Sequence, residues 1–260
     1  MNIVIISQRA PLYLPFFLDK VCKAIKNENI NISALVCMSP YTKANLFIEL
    51  KKRIEFYGFI SFIKLSLLII LNKFKALFFK KSKTCYSIDN VIEKYNITEI
   101  KTDNVNDSVF IQQLKKLKVD VIVSIACPQI FKKDIIETPN LCCINYHTAM
   151  LPKFRGRQPL FWALYHNEKS SGVSVHEMDV KIDNGKILAQ KEYLIDENDT
   201  LNDLYYKSME KGLDCLMDSF QVLLKNSDIR IINNAEEASY FSFPTKEEAK
   251  EFRKKGKKFI

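Results

Sequence analysis

Four short, unbroken apolar runs constrain this chain more than any other feature: "NIVIIS" from Asn2, "ISALVCM" from Ile32, "VDVIVSIA" from Val119 and "LCCIN" from Leu141. A run without polar alternation suits a strand covered on both faces, the environment of a parallel sheet. Between these runs come helical spacings, with Phe17, Val21 and Ile25 in "LPFFLDKVCKAI" and an Asn106 or Asp107 cap before "SVFIQQLKKL". Strands alternating with helices imply right-handed crossovers. The expected fold class is α/β, a Rossmann-like, mostly parallel sheet flanked by helices, with a short C-terminal extension.

Further along, "PLFWALYHNE" has helical spacing, while "GVSVHEMD" and "KILAQKEYLI" alternate like strands. Thr200 with Asp203 resembles a capping box that opens a long amphipathic helix. "DIRII" reads as a short strand, and Thr245 with Glu248 starts a last helix that Gly256 ends. The expected boundaries are a main unit over 1–226, with a helical insertion at about 43–80, and a strand-and-helix extension over 227–260. In the insertion, "EFYGFISFIKLSLLIILNKFKALFFK" runs from Glu55 to Lys80. Lys64 interrupts it, so no uncharged run reaches the roughly 18 residues of a membrane span. It reads as a mostly buried or subunit-facing helix, which would make the chain a homodimer, or as a basic helix lying on a membrane surface.

Lys and Arg outnumber Asp and Glu by 39 to 30, a net charge of +9, which favours an anionic partner. Much of the excess sits in the runs Lys73–Lys83 and Lys250–Lys258, as solvated lysine faces do, so nucleic acid is not the expected partner. The seven cysteines contain no C-x-x-C and read as reduced residues of a cytoplasmic protein, and the opening "MNIVIISQ" has no signal-peptide pattern. None of the six glycines follows the first strand, so a dinucleotide or phosphate loop is excluded there. G-x-S-x-G is absent too. The three histidines, at 147, 166 and 176, lack an i, i+4 pair, and no metal is expected.

What remains is Asn145 and His147 at the end of a predicted strand, where open α/β sheets gather their chemistry. Two apart on a strand, an amide and an imidazole point the same way and suit an oxyanion and a proton, so acyl transfer is the natural class. An orienting carboxylate is available in Asp179 or in Asp183, which precedes the Asn184-Gly185 turn signal. From spacing alone, a histidine at a strand end is more often a satisfied structural residue, and an aspartate before Asn-Gly is more often only turn chemistry.

At these residues the chain resembles the 10-formyltetrahydrofolate-dependent formyltransferases. The matching pieces are Asn145-Tyr-His147, Leu151-Pro152, Arg155-Gly156, "GVSVHEMD" and Asp183-Asn-Gly185, in the family's order. The resemblance implies the formyltransferase fold and transfer of a formyl group from 10-formyltetrahydrofolate to a primary amine. It implies that Asn145 polarises the formyl oxygen, His147 stabilises the oxyanion and shuttles protons, and Asp183 holds the imidazole. The co-substrate would meet Ile125, Ala126, Cys127, Pro128 and Ile130, largely through backbone groups and with Cys127 lining the site rather than attacking, and Asp179. Lys153, Arg155 and Arg157 border the loop and would contact an anionic substrate. Ala149, Met150 and Lys186 depart from the family's usual residues.

"QPLFWAL" and "SYFSFPTKEEAKEF" are similar to stretches of bacterial sugar N-formyltransferases, which act on nucleotide-linked 4-amino-4,6-dideoxy sugars for surface polysaccharides. That is the expected function. The alternatives are a methionyl-tRNA formyltransferase, which would need a further domain where only 34 residues follow Asn226, and a formyltetrahydrofolate hydrolase. A different class, a non-catalytic protein that binds polyanions or a membrane surface, rests on the Lys64 helix alone.

Overall fold

The computed structural model describes residues 1–39, 46–79 and 82–260. All four apolar runs form strands: β1 (Asn2–Gln8), β2 (Asn31–Met38), β3 (Val121–Ile125) and β4 (Cys142–His147). They pair in parallel in the order β2-β1-β3-β4. The sheet continues through two antiparallel strands, β6 (Ser170–Glu177) and β7 (Ile187–Leu194). A two-residue strand between them in sequence, β5 (Arg155–Gly156), pairs in parallel with β8 (Tyr240–Phe241) outside the main sheet.

Successive residues of a strand face opposite ways, and β1 divides accordingly. Ile3 and Ile5 join a core with Phe17 and Leu18 of α1 (Leu14–Ile25) and Leu216 and Phe220 of α8 (Leu201–Leu224). Val4 and Ile6 face Phe110 and Leu114 of α5 (Ser108–Lys116), whose N-cap is Asp107, accepting from Val109 and Phe110 N–H. The sheet therefore lies between two layers, as expected for α/β, with α8 crossing the β6 and β7 end. The capping boxes at Thr200 and at Thr245, before α9 (Lys246–Lys254), are both formed. α4 (Ile88–Tyr95), α6 (Lys133–Ile136) and α7 (Pro159–Tyr165) are further helices outside the insertion.

Three expectations change. The insertion is two helices, α2 (Leu46–Tyr57) and α3 (Phe59–Phe78), bent by 113° at Gly58, whose φ of 77° breaks the ladder. Residues 43–45 and 80 of the expected insertion, and 80–81 of the lysine run, lie outside the described residues. Nor is α3 a buried helix: Leu65 is its one buried residue, and Ile60, Ile63, Leu67, Ile70, Phe74 and Phe78 are exposed. "DIRII" forms no strand, only an isolated bridge from Ile231 to Ile187, and the extension's strand is β8. Within residues 227–260, Ala249, Phe252 and Phe259 lie in the α1–α8 core, with Phe252 stacked on Phe161 of α7 at 4.6 Å.

Candidate active site

Asn145 and His147 occupy the last turns of the pleat in β4, beyond which the parallel half of the sheet ends. The antiparallel partner β6 brings His176 directly opposite Asn145, and Ser174 opposite His147. Asp183 completes the cluster from the turn between β6 and β7, in a left-handed conformation at φ 49°. The Asn145 amide nitrogen lies 3.3 Å from Asp183 Oδ1 and 3.3 Å from His176 Nε2. His176 Nε2 is 3.4 Å from Asp183 Oδ1, and His147 Nδ1 is 3.7 Å from Asp183 Oδ2. The side chains of His147, His176 and Asp183 are exposed by 7%, 2% and 10%, so their interactions are little screened by solvent.

Acceptor-only partners assign the protons. His147 Nε2 lies 2.9 Å from the Phe154 carbonyl and therefore carries a hydrogen. In the neutral imidazole, the bare nitrogen is then Nδ1, on the Asp183 side. Burial lowers the His147 pKa; Asp183 pulls it up and His176 pushes it down, and the result lies below the ordinary histidine value. For Asp183, burial acts to raise the pKa, but His147, His176 and the Gly156 N–H outweigh it and hold the group as a carboxylate. Both Asn145 amide hydrogens face inward, so an oxyanion reaches this donor by exchanging one of two long contacts.

The loop after β4 and the turn at Asp183 are held by each other and by the extension. Gly156 N–H donates to Asp183 Oδ2 at 2.8 Å. A Cβ on Gly156, whose φ is 98°, would stand 2.2 Å from the Phe241 carbonyl, and one on Gly185 would stand 1.9 Å from the Glu177 carbonyl. Only glycine permits either approach. Asn233 donates to both the Asp183 and Gly185 carbonyls at 2.9 Å. Ser239 accepts from Phe154 N–H at 2.8 Å, fixing the residue whose carbonyl holds His147.

The remaining expected contacts divide. Lys153 and Arg157 are exposed beside the loop, with Arg157 over the Phe243 ring at 5.0 Å. Arg155, expected to meet a substrate anion, is instead buried, donating to Asn184 Oδ1 at 2.9 Å and Asn233 Oδ1 at 2.7 Å. It braces the Asp183 turn, because its backbone is pinned into β5. Asp179, expected among the co-substrate contacts, spends its two oxygens on its own loop, accepting from Lys181 N–H and the Asn184 amide. The Ile125 side chain is fully buried in β3, so any contact with the co-substrate is left to its backbone. Ala126, Pro128 and Ile130 are exposed beyond β3, and Cys127 is partly buried there with its thiol pushed by burial up to about 11. That thiol is protonated near neutrality and makes a poor nucleophile. Among the described residues, no group of three or more His, Cys, Asp and Glu is placed to hold a metal ion. A cavity of about 500 Å³, lined by Arg9, Pro11, Lys73, Leu77, Tyr86 and Asn90, contains none of the catalytic cluster.

His176, Asn233 and Ser239 escaped the sequence reading. His176 had one legible signal, sharing a strand face with Gly172 and Ser174 in an alternating run.

An imidazole with one free nitrogen, a buried carboxylate beside it and an amide donor at a sheet's carboxyl end define a proton-transfer centre suited to acyl chemistry. A family model described as formyl transferase matches residues 65–219, and the chain belongs to that family. It is 37% identical over 145 residues to a methionyl-tRNA formyltransferase of Clostridioides difficile (strain 630), a match covering 56% of this chain and 47% of that protein. The chain spans about half the length of the curated relatives it matches. An N-formyltransferase from Helicobacter canadensis, solved with folinic acid and dTDP-3-aminofucose, superposes with a TM-score of 0.60 and 19% identity, over 93% of this chain and 71% of that one. A 4-N formyltransferase from Francisella tularensis gives 0.58 and 19%, over 93% and 76%. At these identities the likeness is one of fold.

Proposed function

We propose that the chain transfers a formyl group from 10-formyltetrahydrofolate to the primary amine of a nucleotide-linked amino sugar, of the 4-amino-4,6-dideoxyhexose type, in the cytoplasm. The observation that carries the reading is the convergence of Asn145, His147 and Asp183 on one buried point. The co-substrate supplies an activated formyl carbon. His147 Nδ1 takes the proton that the amine releases as the new C–N bond forms, and returns it to the folate nitrogen that leaves. Asp183, 3.7 Å away, stabilises the imidazolium in between, and the Phe154 carbonyl keeps the ring from turning. Asn145 donates to the formyl oxygen as it gains charge, an interaction stronger in the transition state than before it.

Exposed Ala126, Pro128 and Ile130 beside the site form a surface suited to a flat, apolar ring system such as the pterin. The amino-sugar reading is supported by the Helicobacter canadensis neighbour, solved with dTDP-3-aminofucose, whose fold matches 93% of this chain. The curated methionyl-tRNA formyltransferases favour a second reading, a tRNA-borne amine. Turnover of 10-formyltetrahydrofolate is measured with a panel of amino-sugar nucleotides, with methionyl-tRNA and with water alone, for wild type and His147→Ala. Release of tetrahydrofolate that needs an amino sugar and is lost in His147→Ala is the expected result. Dependence on methionyl-tRNA supports the second reading, release with water alone identifies a hydrolase, and no release under any condition overturns catalysis.

A further inference from the structure

One segment of the fold takes no part in the site and is chemically unlike the rest of the surface. α3 is a 20-residue helix that carries no acidic residue and buries a single side chain, Leu65. Ile60, Ile63, Leu67, Ile70, Phe74 and Phe78 recur at three- and four-residue steps and so form one stripe along it. All six are exposed, from 42% at Ile63 to 73% at Ile60. At 100° per residue, Lys64 and Lys75 fall along one edge of the stripe and Lys73 along the other, and all three lysines are exposed. Lys75 also lies over the Tyr86 ring at 5.4 Å.

The opposite face of α3 is tied to the protein. Leu65 packs inward, the Asn72 amide donates to the Pro11 carbonyl at 3.2 Å, and the Ala76 carbonyl accepts from Asn90 at 3.4 Å. The stripe is therefore held outward by the fold, not left exposed by a loosely attached helix. We infer that α3 is an interfacial helix that seats the enzyme on an anionic lipid bilayer, its apolar stripe in the headgroup boundary and its lysines among the phosphates.

Charge decides between this occupant and a second copy of the chain. A two-fold interface sets the same patch against itself, so the lysine rows would meet lysine rows with no carboxylate on the helix to pair with them. An anionic lipid surface satisfies the apolar stripe and both basic edges together, the composition of helices that lie in the interface plane. A span is disfavoured by the same lysines: no single helix among the described residues is long and apolar enough to cross a membrane, and α2 with α3 qualifies only as a pair bent by 113°.

The test is co-sedimentation of the full chain with phosphatidylcholine vesicles, with and without a quarter of phosphatidylglycerol, over a range of salt. Expected is partitioning about tenfold or more stronger on the anionic vesicles, weakening as salt rises. Ile70→Asn with Phe74→Asn, exposed by 61% and 55%, loses that partitioning about tenfold or more while circular dichroism and thermal melting stay unchanged. Lys64→Glu, Lys73→Glu and Lys75→Glu together abolish the preference for anionic lipid. Equal partitioning of wild type and the double Asn variant overturns the inference. So does a dimer in sedimentation velocity that the double variant dissociates while vesicles fail to bind, which would assign the stripe to a second copy. Resistance of bound protein to alkaline carbonate extraction would replace a surface helix with an inserted one.

Discussion

At the residue scale, the cluster assigns different work to groups that touch one another. Asn145→Ala removes a donor without disturbing β4, whose ladder runs through the backbone, and is expected to lower kcat about a hundredfold or more with a native circular dichroism spectrum. His147 acts as a base only when Nδ1 is bare, and burial favours that state. The acid limb of kcat/KM against pH is therefore expected below the ordinary histidine value of about 6.5. Asp183→Asn removes the carboxylate that pulls the His147 pKa up, so the limb moves further to the acid side while the maximum rate falls. The same shift links to stability. A histidine whose folded pKa is depressed stabilises the fold above its unfolded pKa, and that contribution is lost as pH falls towards the folded value. Thermal melts of His147→Gln between pH 7.5 and 5.5, a window around the reference histidine value, are expected to decline less steeply than those of wild type. Asn145 and His147 were legible in the sequence because both lie in one short run at a strand end. For His176 only its strand face was legible; its place beside them is set by the antiparallel register of β4 and β6, which no local spacing encodes.

At the scale of elements, the strand pair β5–β8 carries more than its two-residue length suggests. It fixes Gly156, which donates to Asp183, and brings up Ser239, which receives the Phe154 N–H. Gly156→Ala sets a Cβ against the Phe241 carbonyl at a positive φ, and is expected to destabilise the chain by about 1–3 kcal/mol in denaturant titration. Asn233→Ala leaves the core intact but frees the Asp183 and Gly185 carbonyls. Its expected signature is a larger fall in kcat than in melting temperature. The strands and capped helices were readable from continuous apolar runs and from Thr-x-x-Asp and Thr-x-x-Glu pairs, which are local signals. Arg155 was misread because a basic, glycine-containing loop looks solvated in sequence. Only the pairing of β5 with β8 turns its guanidinium inward to Asn184 and Asn233.

For the whole molecule, the sheet and both helical layers form one body into which residues 227–260 are built. Phe252 contacts Phe161 and Phe259 in the same core that holds β1 and α8. Phe252→Ala is expected to cost about 3–5 kcal/mol and to shift a single unfolding transition, seen alike by near- and far-ultraviolet circular dichroism, rather than to melt the extension separately. The expected boundary at 226 follows the end of the long helix opened by Thr200, and nothing local in the sequence shows that Phe252 and Phe259 beyond it return to the same core. The bend at Gly58 was hidden for the converse reason: apolar periodicity runs across it unbroken, and only the backbone angle reveals the break.

The tail's clasp on the catalytic loop also sets an order of events during synthesis. The parallel sheet, from β1 to β4, is complete in the nascent chain by His147, and Asp183 follows soon after. The loop that holds His147 nevertheless has no partner strand until the ribosome has added Tyr240 and Phe241 and they have cleared the exit tunnel. A chain stalled in α8 would carry every catalytic side chain and still lack Ser239 and β8, which pin the loop whose carbonyl holds His147.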